Sequence, residues 1–197
     1  MNHNQPPKPI EDLLALLDSW LPLSPSFRNE LSQTLTIQNV HPKQHLSQPG
    51  QHISLAWYSV DCILTAQQPL ANGLEEAVAI YLPNTIFTDI HSFLQNSPTQ
   101  QRLTLLEGSQ LLAISKQRFQ NLRSLPETTL LLEHYLLEQR QQDLWRLNLL
   151  AMKDNEKVAT FAQRFPINHL PANISASYLR IDPSRFSRLR AQYNKSR

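Results

Sequence analysis

The sequence predicts an α+β fold in which a run of short antiparallel strands, packed as a sandwich or jelly roll, lies between helical segments and is followed by a helix-turn-helix. Three observations predict it. Apolar residues recur at helical intervals over residues 10–35 and 116–153. Between them, residues 36–115 carry brief alternating or continuous apolar runs broken by turn residues. Residues 172–193 then read as two short helices around a tight turn, in a segment whose charge differs from the rest.

In chain order, residues 1–8 are polar and proline-rich and are expected to be loosely held. Ile10, Leu13, Leu14, Leu17, Trp20 and Leu21 form the stripe of an amphipathic helix. A second helix starting near Ser24 or Ser26 would bury Phe27, Leu31 and Leu35. Eight strands are predicted at 35–40, 45–46, 53–60, 62–66, 75–82, 85–87, 102–106 and 110–114, with hairpin turns at Pro49-Gly50 and Ala71-Asn72-Gly73. A short helix at 89–95 interrupts them, and another begins at Lys116.

From Ser124-Leu-Pro-Glu to Lys153 the chain has no further Gly or Pro after Pro126, which predicts one helix roughly 40 Å long. Leu130, Leu137, Leu144 and Ala151 are seven apart, with Leu147 between two of them. Either this stripe is buried on the chain's own barrel or it is the seam of a parallel dimer. Leu131, Leu132, Tyr135, Leu136 and Trp145 supply a separate face for the barrel, which favours the seam. Val158, Phe161, Ala162 and Phe165 define the next helix face, and Pro166 ends it.

In the last segment Ile174, Tyr178 and Leu179 share a face, with Ile181 in the turn. Asp182 suits an N-cap and Pro183 the first helical position of a second helix, whose Phe186, Leu189 and Tyr193 must pack inward. Ser184, Arg185, Ser187, Arg188 and, at one edge, Arg190 then face outward; hydroxyls and guanidinium groups are the side chains that reach phosphates and guanine edges. A merely solvated helical hairpin is the simpler reading of such a pattern. Against it, residues 154–197 hold eight Lys/Arg and three Asp/Glu, a net +5, while the preceding residues hold ten and thirteen, a net −3. Charge segregated in this way suits a polyanionic partner for the tail.

The run Asn173-Ile-Ser-Ala-Ser-Tyr-Leu-Arg-Ile-Asp-Pro-Ser-Arg-Phe-Ser-Arg-Leu-Arg190 resembles the helix-turn-helix of the Crp/Fnr superfamily of transcription regulators, and the order of parts upstream is similar over nearly the whole chain. The resemblance implies a cyclic-nucleotide-binding-like sensor at 1–123, a connecting and dimerisation helix at 124–153 and a DNA-binding domain at 154–197. It implies base-reading roles for Pro183, Ser184 and Arg188, with Ser175, Arg185 and Arg190 as phosphate contacts and Ser187 on the same surface. Double-stranded DNA, a second copy of the chain, a small-molecule effector and RNA polymerase are the implied partners. Two departures stand out. Arg180 occupies the turn position where such motifs have Gly, and few residues follow the recognition helix to form a wing hairpin.

The sensor departs further. The family binds a cyclic phosphodiester with backbone amides at a helix start, a glutamate and an arginine. Here Phe87-Thr-Asp-Ile-His stands in place of the Gly-Glu pair, Thr99 falls at the arginine position, and Arg102 is out of phase by three. A barrel that binds no cyclic AMP is expected.

At 197 residues with 41% hydrophobic and 17% charged residues, an ordinary globular protein is indicated. No apolar run approaches a membrane span and the N-terminus lacks a signal-peptide core, so a cytoplasmic location is expected. Cys62 is the one cysteine, which excludes an internal disulfide and a cysteine-ligated iron-sulfur cluster. The seven histidines are scattered, and neither a metal site nor a cofactor is expected. No nucleophile and base stand at a convincing spacing, so catalysis is not expected; a ligand-binding or protein-interaction module that has lost specific DNA binding is the alternative to a regulator.

Overall fold

The computed structural model describes residues 7–71 and 73–195. The expectation of a loose N-terminal segment therefore lies mainly outside the described residues, as does Asn72 of the second hairpin turn. Helices α1 (Lys8–Trp20) and α2 (Pro25–Thr34) lead into strands β1 (Thr36–Asn39), β2 (His45–Ser47), β3 (Leu55–Ser59), β4 (Ile63–Pro69), β5 (Glu75–Tyr81) and β6 (Ile86–Phe87). Helix α3 (Ile90–Gln95) precedes β7 (Arg102–Glu107) and β8 (Gln110–Ser115). Helices α4 (Lys116–Leu122), α5 (Pro126–Ala151), α6 (Asp154–Arg164), α7 (Ala172–Leu179) and α8 (Pro183–Lys195) complete the chain.

The strands form two four-stranded sheets, ordered β1-β8-β3-β6 and β2-β7-β4-β5, and the pairings are antiparallel. Both faces of the first sheet are covered. In β8, Leu111 and Ala113 point into the barrel with Trp57, while Leu112 points out with Tyr58 against α1, α2, α4 and α5. The sequence Leu111-Leu112-Ala113 is continuously apolar for that reason, because alternation disappears where a strand has no wet side. The second sheet is covered in part by the C-terminal helices: Ile63, Ala77 and Ile80 share a core with Val158, Phe161, Tyr178, Leu179 and Phe186.

The turn between β7 and β8 is tied to the turn before β4. Asp61 accepts hydrogen bonds from Ser109 N, Gln110 N and Ser109 Oγ at 3.0, 2.8 and 2.7 Å. Gly108 lets these turns meet: its φ is +105°, and a Cβ there would stand 2.4 Å from Cys62 Cα. Burial alone would raise the Asp61 pKa, but the Ser109 and Gln110 donors outweigh it and lower it to about 2. Burial likewise pushes the Cys62 thiol up to about 12, helped by the adjacent Asp61 carboxylate, so it is an inert core thiol.

Helix α5 has 26 residues, about 39 Å at 1.5 Å per residue. One face is buried by Thr128, Leu131, Tyr135 and Leu149. The opposite stripe is not: Leu130, Leu137, Leu144 and Leu147 are 48, 65, 43 and 59% exposed, and Ala151 is exposed too. Leu136, expected on the barrel face, is exposed instead; five residues on from Leu131, it lies roughly 140° around the helix. Among the described residues no helix is long and apolar enough to cross a membrane.

Candidate nucleic-acid interface

Helix α7 ends in a left-handed residue, and that residue is Arg180, with φ 54° and ψ 46°. Ile181 N donates to Ala176 O at 3.0 Å and Arg180 N to Ser177 O at 3.1 Å, the paired bonds of a Schellman turn. A side chain in this conformation costs roughly 1–2 kcal/mol. The guanidinium offsets part of that cost in a way glycine cannot. Its Nε and Nη2 donate to the two oxygens of Glu76 on β5 at 2.8 and 3.1 Å, a forked ion pair.

Glu76 is itself buried and holds a second arginine. Arg146, on α5, donates from Nη2 to Glu76 Oε1 at 2.7 Å, to Ala77 O at 3.1 Å and to Tyr178 O at 3.3 Å, and lies 4.8 Å from the Tyr178 ring centre. Burial works to raise the Glu76 pKa, and the Arg180 and Arg146 hydrogen bonds reverse it, so the carboxylate stays charged below its ordinary range. Ser177 adds a contact to the same strand edge: its hydroxyl accepts from Ala77 N at 3.0 Å and donates to Glu75 O at 3.3 Å. The barrel, the long helix and the helix-turn-helix therefore meet at one carboxylate. Neither Glu76 nor Arg146 stood out in the sequence, where each reads as an ordinary charged residue in a strand or helix; the misplaced arginine at 180 was the signal.

From Asp182 the second helix of the motif begins as its residues dictate. Asp182 Oδ1 accepts from Ser184 N, Ser184 Oγ and Arg185 N at 2.9, 2.6 and 3.1 Å, and Pro183 takes the first helical position. Phe186 is fully buried, with Leu189 and Tyr193 packed beside it. Burying Phe186 contributes about 1.5–3 kcal/mol toward holding α8 against α6 and α7. Pro183, Ser184, Arg185, Ser187 and Arg188 are exposed, and Arg190 is half-buried.

These arginines are not equivalent. Arg185 Nε lies 2.6 Å from Asp154 Oδ2 at the start of α6, so its charge is already partnered. Arg190 lies over Phe186 at 5.6 Å, with Nη1 at 3.5 Å from Ile167 O. The Arg188 side chain has no hydrogen bond or ion pair among the described residues, although its charge helps lower the Asp182 pKa. Gln192 and Lys195 follow Arg188 at the i+4 and i+7 positions of the same face and are also exposed, beyond the end of the helix-turn-helix pattern at Arg190. Ser175 is corrected by the structure. It lies fully buried in α7 with no partner for its Oγ among the described residues, because Tyr178 and Leu179, three and four residues on, put its face on the packed side, and it reaches no phosphate in this arrangement.

In the barrel, the cassette residues are spent on the protein itself. Phe87 is fully buried and stacks between Trp57 and Tyr81, with centroids 5.6 and 5.0 Å away. Asp89 caps α3, accepting from Ser92 N at 3.2 Å, and its second oxygen accepts from Thr99 Oγ1 at 2.6 Å. Arg102 pairs with Glu75 at 2.7 Å. Among the described residues no group of three or more His, Cys, Asp or Glu side chains is arranged to hold a metal ion.

This fold is that of the Crp/Fnr regulators. FixK2 of Bradyrhizobium japonicum is similar with a TM-score of 0.71 at 14% identity, over 82% of this chain and 85% of its own. CLP, a c-di-GMP-responsive global regulator of Xanthomonas campestris, is similar with a TM-score of 0.70 at 10% identity, over 88% and 93%. The catabolite activator protein of Thermus thermophilus gives 0.57 at 15% identity, over 92% and 87%. No protein-family model and no curated protein matches the chain.

Proposed function

We propose that this chain is a cytoplasmic transcription regulator of the Crp/Fnr type that binds duplex DNA as a homodimer, with no catalytic role. The observation that carries the reading is the outward face of α8, where Ser184, Ser187 and the unpaired Arg188 stand on a helix start fixed by Asp182. One such helix contacts few base pairs. Two copies joined along Leu130, Leu137, Leu144, Leu147 and Ala151 would present two helices to half-sites about 34 Å apart. In this reading Arg188, Ser184 and Pro183 meet base edges, Arg185, Ser187 and Arg190 the flanking backbone, and the segments 1–123, 124–153 and 154–197 act as sensor, connector and reader.

The sensor in this proposal takes no cyclic AMP. The Phe87 stack fills the interior, and Asp89 would repel the phosphodiester from the helix start it occupies. Regulation would be a population shift in how two α5 helices meet, passed to the reading helices through Arg146, Glu76 and Arg180. RNA polymerase is the partner such a regulator would engage.

Titration of fluorescent duplex DNA at two salt concentrations tests the reading. Affinity should fall steeply with salt, and Arg188→Ala should weaken it by at least about 30-fold, two copies each losing about 1–3 kcal/mol. Indifference to both salt and substitution would favour the alternative, a ligand-binding or interaction module. That alternative has its own supporting observation, the partnering of Arg185 by Asp154.

A further inference from the structure

A partly enclosed apolar cavity of about 130 Å³ lies outside the barrel, between the outer face of the first sheet and the helices α1 to α5. Leu17 and Phe27 close it from the N-terminal helices, Tyr58 and Leu112 from the sheet, and Leu131 and Tyr135 from α5. None of its lining side chains carries a charge. Four carry a hydroxyl, and three of those are engaged. Tyr58 Oη donates to Asn84 Oδ1 at 2.8 Å, Thr88 Oγ1 to Leu55 O at 3.0 Å and Thr128 Oγ1 to Leu122 O at 2.6 Å. The fourth, Tyr135, is 7% exposed, and its hydroxyl has no hydrogen-bond partner within bonding geometry among the described residues. The Thr88 backbone lies near enough to lower its pKa, an effect that burial outweighs. Burial pushes its pKa up, so it is a neutral phenol with a proton to donate.

We infer that this cavity is a binding site for a small uncharged molecule, largely apolar and of about six to nine non-hydrogen atoms, bearing one hydrogen-bond acceptor for Tyr135. An apolar cavity of roughly 150 Å³ in another protein takes benzene and stays dry otherwise. Water is a poor occupant here, since it needs two to four polar partners and only one hydroxyl is open. Phosphates and nucleotides are excluded by the absence of any charged or amide-rich wall. The site lies directly behind the exposed stripe of α5, because Leu131 and Tyr135 line the cavity while Leu130 and Leu137, on the same turns, face outward. An occupant would therefore bear on the helix that carries the proposed seam. Binding itself does not depend on the DNA-binding reading.

The test uses the full-length protein without DNA, and two probes of nearly equal shape: acetophenone, and α-methylstyrene, in which a methylene replaces the carbonyl oxygen. Saturable binding of both by ligand-observed NMR is expected, with acetophenone the tighter. Tyr135→Phe should weaken acetophenone about tenfold and α-methylstyrene less than twofold. It should leave the melting temperature unchanged or higher, because it removes an unpartnered buried hydroxyl. Leu132→Trp, which grows a lining residue into the space, should abolish binding of both while circular dichroism stays native. Absence of saturable binding by the native protein would overturn the inference, and so would undiminished binding in Leu132→Trp. Equal effects of Tyr135→Phe on the two probes would overturn the assigned role of the hydroxyl.

Discussion

Helices α3 and α8 are both capped by an aspartate side chain, and their surroundings are opposite. At α3, Asp89 turns inward: one oxygen caps the helix, the other takes the hydroxyl of the buried Thr99, and Phe87 fills the space alongside. At α8, Asp182 gathers its three donors on the surface, and the residues that follow are serines and arginines facing outward. The capping chemistry is the same. What differs is the next turn of sequence, Ile90-His-Ser-Phe in one case and Ser184-Arg-Phe-Ser-Arg in the other. A helix start is closed to a phosphate when the protein's own carboxylate and aromatic side chains fill it, and open when cations stand beside the cap. Both places are ones where the Crp/Fnr resemblance puts a phosphate, and in the proposed function the chain closes the first and leaves the second exposed.

Breaking the link between the two regions should have the largest effect. Glu76→Ala removes a buried carboxylate and leaves the half-buried Arg146 without its counter-ion, and a loss of about 3 kcal/mol is expected by chemical denaturation. Arg180→Ala should cost much less, because that arginine is 59% exposed and its pair is worth about 0–1 kcal/mol. Equal losses at the two sites would mean that Glu76 is not the junction of barrel and tail.

The two caps sharpen the comparison directly. Asp89→Ala removes a cap and leaves the Thr99 hydroxyl buried without its acceptor, for a loss of about 2–4 kcal/mol. Asp182→Ala removes only a surface cap, at about 1 kcal/mol. Thermal or urea unfolding of the two variants measures the difference, and a larger loss at Asp182 would reverse the account of which start is closed.

Acid should act more gradually. Asp61 has its folded pKa lowered to about 2 from 3.8 by its Ser109 and Gln110 donors, which outweigh burial. Because the folded value is the lower one, its contribution is complete above pH 3.8 and is lost as pH falls toward 2. Asp61→Asn should flatten the decline of stability between pH 4 and pH 2. An unchanged slope would show that other carboxylates, Glu76 among them, govern it.

Much of the fold was legible because it rests on local signals. Turn residues and alternation located the eight strands to within a few residues, and Asp182-Pro183 fixed the start of α8. The outward α8 residues were readable for the same reason, since Phe186 and Leu189 fix which side is buried. Ser175 was misread because its neighbours on α7 gain their burial from packing against the barrel, a contact that spans about a hundred residues of sequence. Of Glu76, Arg146 and Arg180 only the last carries a signal in the sequence, as a side chain at a glycine position; its partners are brought to it by tertiary packing alone. The partnering of Arg185 by Asp154 likewise requires knowing how α6 lies against α8.

The most direct measurement is selection of bound fragments from a random duplex pool with purified full-length protein and no added ligand. A palindromic consensus with half-site centres about 10 base pairs apart is the predicted result, and would establish both the reading helix and the two-fold dimer. Failure to enrich any sequence, at low salt and again with cell extract supplied, would contradict the claim that the open face of α8 reads DNA.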